Sequence, residues 1–109
     1  MHKVNYKRIY YKTSDGSMIM DFVFMDCGSE IGWRVYIIND INYRGRNTGG
    51  HATHRNHHEG DTYKSICWST RINTFEEAKT IAALWADITA LYIKFGGDFD
   101  NIAKSLIKK

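Results

Sequence analysis

Four of the five histidines, His51, His54, His57 and His58, crowd into one short stretch beside Glu59. Neutral imidazoles are zinc ligands, and a structural zinc site takes four ligands. Steps of three residues bring such rings together only on a turn, and the helical His-Glu-x-x-His pattern of metalloproteases is absent. These four are therefore the metal candidates, against the plainer reading of a solvated polar loop, and no cofactor is otherwise implied. Just upstream runs Tyr43-Arg44-Gly45-Arg46-Asn47-Thr48-Gly49-Gly50, with Arg55 following His54. Guanidinium forks suit phosphate or carboxylate, and glycines let backbone N–H groups approach an anion. The spacing of a nucleotide-binding P-loop is missing. A third cluster, Tyr6, Arg8, Tyr10 and Lys12, interleaves rings with bases, as stacking platforms for single-stranded nucleic acid do. Cys67 could pair with His54 and Asp61, and Ser65 or Ser69 with a loop histidine. No nucleophile elbow or paired-carboxylate motif supports this. A thiol between Ile66 and Trp68 in a strand would be inert.

The elements that must position these groups are legible from period and punctuation. The chain has 109 residues, with 43% apolar, 25% charged and 14% aromatic residues and a net charge of +3. That is enough for one domain, 1–109, and it excludes a coiled coil, a membrane-spanning protein and a disordered tail. Two cysteines, no apolar leader and a longest apolar run of only Ile81 to Ala86 lead to the expectation of a cytoplasmic protein with reduced, unbridged thiols and no membrane contact.

Asp15-Gly16 between two β-rich runs predicts a hairpin with a two-residue type I′ turn. The turn sets the register: Ile9 faces Phe22, Tyr11 faces Met20, Lys7 faces Phe24 and Tyr10 faces Asp21. One face is then apolar (Ile9, Tyr11, Met18, Met20, Phe22, Phe24), and the other carries Tyr6, Arg8, Tyr10 and Lys12 with Asp21. A third strand is expected over 33–39 and a fourth over 62–69. The stretch 40–61 shows no period, has few apolar anchors (Ile41, Tyr43, Ala52), and reads as a partly mobile functional loop. Thr74 and Glu77 form a capping box for a helix over 74–95 that ends at Gly96-Gly97. A short helix follows, with Ile102, Ala103, Leu106 and Ile107 inward and Lys108 and Lys109 in its last turn. Trp33, Trp68 and Trp85 are expected to share the core. The fold class is α+β: a small antiparallel sheet of about four strands with the long helix on one face.

The long helix has more apolar positions than one stripe needs, with Ala83, Leu84, Ala86, Ala90, Leu91 and Ile93 outside the main face. The excess can be covered by the terminal helix, by the 40–61 loop, or by a second copy. A homodimer through helix 74–95 is therefore among the expectations.

Taken together, Tyr43-Arg44-Gly45-Arg46, His51-Ala52-Thr53-His54-Arg55, Ile66-Cys67-Trp68, Phe75-Glu76-Glu77-Ala78-Lys79 and Leu84-Trp85-Ala86-Asp87 resemble small uncharacterised accessory proteins of bacteriophages and conjugative elements of Gram-positive bacteria. The resemblance spans residues 33–95 and carries no catalytic residue with it. It implies a mobile-element accessory protein, of a kind that interferes with host defence nucleases. The expectation from sequence is a non-enzymatic binding module that contacts nucleic acid or an acidic nucleoprotein partner. Its contacts would be Arg8, Tyr10, Lys12, Tyr43, Arg44, Arg46, His54 and Arg55. The alternative is a protein-binding, anti-CRISPR-like inhibitor acting through an apolar and aromatic surface. A histidine-dependent nuclease is the third reading.

Overall fold

The structure, a computed structural model, describes residues 6–107. Strands β1 (Tyr6–Lys12) and β2 (Ile19–Asp26) pair antiparallel in the register the hairpin sequence predicts, with Ile9 opposite Phe22 and Tyr10 opposite Asp21. The turn itself is different. Thr13 N–H donates to Met18 O at 2.9 Å and Gly16 N–H to Thr13 O at 2.8 Å, and of Asp15 and Gly16 only Gly16 has a positive φ. The connection is thus a four-residue loop, not type I′. Two- and four-residue loops centred on the same point give the same register, so the facing pairs survive the change. Asp15 holds the loop by accepting from Ser17 N–H at 2.9 Å and Thr13 Oγ1 at 2.7 Å.

Strand β3 (Trp33–Ile37) is two residues shorter than expected, because the Asn39 side chain takes over the ladder and accepts from Asp21 N–H at 3.0 Å. The stretch 40–61 is not structureless. It contains a helical turn, α1 (Gly50–Thr53), and a short strand, β4 (Arg55–Asn56). The strand expected over 62–69 shrinks to β5 (Lys64–Ile66), which pairs with both β3 and β4. The sheet therefore has five antiparallel strands, in the order β1-β2-β3-β5-β4.

Helix α2 (Phe75–Phe95) begins as its sequence predicts, with Thr74 Oγ1 accepting from Glu77 N–H at 3.1 Å. The Glu77 carboxylate reaches back to Asn73 N–H at 3.3 Å, one residue before the cap. Gly96, at φ +73°, ends it. Helix α3 (Phe99–Ile107) starts at Asp98, whose carboxylate accepts from Asp100 N–H at 3.0 Å. Lys108 and Lys109 lie outside the described residues.

α2 packs on the sheet face bearing Met20, Phe22, Phe24, Val35 and Ile37, with Trp85 edge-on to Phe22. Trp33 packs partly buried against Phe75. Trp68 is 42% exposed, contrary to the expected three-tryptophan core, because the chain leaves the sheet after Ile66. Phe95, the last residue of α2, is 76% exposed. Part of the apolar surplus of α2 finds cover within the chain. Ile93 packs with Tyr43 and Ile41 of the 40–61 stretch, while Leu84 joins the cluster that includes Phe99 and Ala103 of α3. Ala83 and Leu91 of that surplus stay half-buried.

Candidate functional site

The basic loop is tied down by the groups that the sequence marks as free. Tyr43 to Arg46 form a turn closed by Arg46 N–H donating to Tyr43 O at 3.1 Å, with positive φ at both Arg44 and Gly45. This is the type I′ pattern, which sits here and not at Asp15-Gly16. The Arg46 guanidinium donates to Ile93 O and Lys94 O, each at 3.2 Å, and so satisfies carbonyls that the end of α2 leaves open. A Cβ on Gly96 would lie 2.9 Å from that guanidinium, so glycine at the helix end also makes room for the arginine. Tyr92 OH donates to Asn47 O at 2.9 Å and Trp85 Nε1 to Thr53 O at 3.1 Å. Arg55 lies over the Tyr43 ring at 4.9 Å and donates to Thr53 Oγ1 and Thr48 O. Tyr43 itself is buried, its hydroxyl has no partner among the described residues, and burial pushes its pKa up to about 12. Tyr43, Arg46 and Arg55 therefore fasten a strap onto α2. Of the arginines in this stretch, only Arg44 has a side chain without a partner among the described residues, and it is exposed.

Of the four histidines, only His51 and His54 stack on each other, with ring centroids 6.3 Å apart, among the described residues. His54, held left-handed at φ +53°, stacks on Phe99 at 4.2 Å and meets Asp100 at 3.2 Å. His57 bonds Asp61 O at 2.8 Å. Among the described residues no three His, Cys, Asp or Glu side chains come close enough to hold a metal. His54, Cys67, Trp68 and Asp100 do line one groove of about 350 Å³ between α2 and α3. There the imidazole is engaged with Asp100, and the Cys67 thiol, free like that of Cys27, makes no hydrogen bond among the described residues that would activate it.

The hairpin residues fare differently. Alternation places Tyr6, Arg8, Tyr10 and Lys12 of β1, Ile19, Asp21, Val23 and Met25 of β2, and Arg34, Tyr36 and Ile38 beside β3 on the face turned away from α2. The segment 57–63 folds over one end of that face. There Tyr36 OH donates to Asp61 Oδ2 at 2.9 Å, and Tyr63 joins Tyr6, Val23 and Met25 around a depression of about 380 Å³. Desolvation raises the Tyr36 pKa. Tyr6 is 64% exposed, Tyr10 63%, Ile19 61% and Tyr63 43%. Arg8 grips Asp21 with both arms, Nε to Oδ1 at 2.9 Å and the second nitrogen to Oδ2 at 2.6 Å, and its pKa is raised by that bond. The Arg8 plane also lies 5.7 Å over the Tyr10 ring.

The expected single site is thus two surfaces. Arg8, Tyr10 and Lys12 stand together on the open sheet face, whereas Tyr43, Arg46, His54 and Arg55 belong to the helix side. Arg44 borders the rim between them, in a cleft that also reaches Ile19. The sequence reading missed Ile19, Val23, Met25, Ile38 and Tyr63. The signal was present in β2, where three of the four outward positions are apolar on a face assigned to solvent.

No family model matches the chain, and neither a curated protein nor a solved structure matches it.

Proposed function

We propose that the chain is a non-enzymatic binding module whose contact surface is the open face of the sheet and whose partner is a protein. One observation carries this reading. Tyr6, Tyr10, Ile19 and Tyr63 are exposed on the face turned away from α2, which no helix among the described residues covers. Tyrosine and methionine are the side chains enriched where proteins meet, since each offers large area at low entropic cost. The electrostatics favour protein over nucleic acid. Phosphate binding needs uncompensated cations. Here Arg8 is neutralised by Asp21 and the Asp61 carboxylate stands on the same face, so that Lys12 and Arg34 are the cations left there without a carboxylate partner among the described residues, too few to track a phosphate backbone. The inhibitor function implied by the mobile-element resemblance fits such a surface and needs no catalytic group.

Nucleic-acid contact is the second reading, and Arg44 favours it as an exposed guanidinium on a protruding turn at the rim of this face. The test is capture of partners from a nuclease-treated lysate of a Gram-positive host, with the wild type and with Tyr6→Ala/Tyr10→Ala and Arg44→Ala variants. The proposal expects capture that survives nuclease and moderate salt, is lost in the tyrosine variant and persists in Arg44→Ala. Capture that disappears with nuclease, or with Arg44→Ala alone, overturns it in favour of nucleic acid.

A further inference from the structure

We infer that β1 receives an extended, acidic strand of the partner along its free edge, so that the sheet gains a sixth strand. This rests on the sheet being the contact element and adds the chemistry of what it contacts. β1 is the outermost strand. Its hydrogen-bonding phase follows from two contacts. Thr13 N–H bonds Met18 O, so Tyr11, Ile9 and Lys7, at steps of two, exchange bonds with β2. Asp21, opposite Tyr10, turns both its groups the other way: its carbonyl accepts from Ile38 N–H and its N–H donates to Asn39. The N–H and C=O of Tyr6, Arg8, Tyr10 and Lys12 therefore point out of the sheet, and none has a partner among the described residues. Seven consecutive register pairs with β2 show no bulge, and the strand holds no proline. The opposite edge, β4, is only two residues long. β1 is thus the edge with the length to template another strand.

Charge selects the occupant. β1 carries no acid, and while Arg8 is held by Asp21, its Lys7 and Lys12 have no carboxylate partner among the described residues. Lysines on an edge discourage pairing with a second copy, whose own lysines would stand opposite them. An acidic strand meets the reverse situation. The alternation also sets its pattern. Positions on the open face would lie beside Lys12 and the Arg8–Asp21 pair, and those between would lie beside Lys7, Ile9 and Tyr11 on the core side. A segment alternating carboxylates with β-branched residues matches both rows.

The experiment uses the full chain, labelled with 15N, and a ten-residue capped peptide alternating glutamate and valine. Controls are the same peptide N-methylated at alternate residues and a lysine–valine analogue. The inference expects amide exchange at Arg8, Tyr10 and Lys12 to slow about tenfold at saturation, while Lys7, Ile9 and Tyr11, already in the ladder, hold steady. It also expects binding that weakens with salt, that falls about fivefold in Lys12→Glu, and that is absent for both control peptides. Shifts at Val23, Met25 and Tyr63 without slowed exchange would overturn edge addition and leave the open-face function standing. Equal binding of the lysine peptide would overturn the acidic assignment. No shift anywhere would overturn the inference, and the lysate capture with the tyrosine variant would then decide the function separately.

Discussion

Replacing Tyr43 with phenylalanine should stabilise this protein. The Tyr43 ring is 4% exposed, lies edge-on to Tyr92 and sits beneath the Arg55 guanidinium. Its hydroxyl is buried without a hydrogen-bond partner among the described residues. An uncompensated buried hydroxyl costs about 1–3 kcal/mol, and phenylalanine keeps the ring, the edge contact and the cation–π contact while removing that cost. The expected gain is about 1–2 kcal/mol, since the removed oxygen leaves a small void that offsets part of it. In a domain near this size, each kcal/mol moves Tm by about 4–8 °C. The pH dependence gives an independent check. Burial raises the folded phenol from 10.0 to about 12. Between those values the unfolded chain has lost the proton and the folded chain has kept it, so wild-type stability is full below pH 10 and falls as pH rises toward 12. The variant lacks this loss, and its advantage should widen across that window. Urea titrations at pH 7 and pH 11 measure both effects, and absorbance near 295 nm should show one tyrosinate step around pH 12 that the variant lacks. A Tyr43→Phe variant less stable than wild type by about 1 kcal/mol at pH 7 would refute the reasoning, because it would mean the hydroxyl makes a hydrogen bond that matters.

Arg46→Ala should destabilise by about 2–3 kcal/mol through loss of two charge-assisted bonds to the last carbonyls of α2, read by thermal melting, with partner capture through the open face unchanged. Arg44→Gly should raise stability by about 0.5–1 kcal/mol by relieving a left-handed backbone at φ +52°, measured by chemical denaturation; a loss would show that the arginine side chain holds the turn. The Asp15 carboxyl is held far below its usual range, first by Ser17 N–H and then by the Ser17 and Thr13 hydroxyls and Lys94. Its depressed folded pKa gives stability that is present above the unfolded pKa of about 4 and is lost as pH falls. Asp15→Asn should therefore flatten the acid limb of the stability profile between about pH 4 and pH 2, and an unchanged limb would remove Asp15 from the account.

Local patterns fixed much of the fold. Alternation around Asp15-Gly16 was enough for the β1–β2 register, because the register depends on the centre of symmetry and not on the turn type. Thr74 with Glu77 and the paired glycines at 96–97 were enough for both ends of α2, because caps are satisfied within a few residues of sequence. The metal candidates were legible as residue types only, since four histidines on a loop say nothing about whether their rings converge.

What needed the tertiary structure was every decision between two distant partners. The stretch 40–61 looked free because it lacks apolar residues, yet its anchors are hydrogen bonds from Arg46, Trp85 and Tyr92 that cross more than thirty positions of sequence. Those bonds, with the burial of Tyr43 and the bonds of Arg55 to Thr53 and Thr48, make fasteners of three expected binding residues and cover part of the apolar surplus of α2. The strand pairing of β4 with β5, and the insertion of β5 beside β3, likewise depend on where two short segments meet after the loop has docked. A sequence encodes which groups can donate and accept within a turn or a strand. Which carbonyl a guanidinium finds, and which face of a sheet is left without a helix, is settled only when the whole chain competes for the same surfaces.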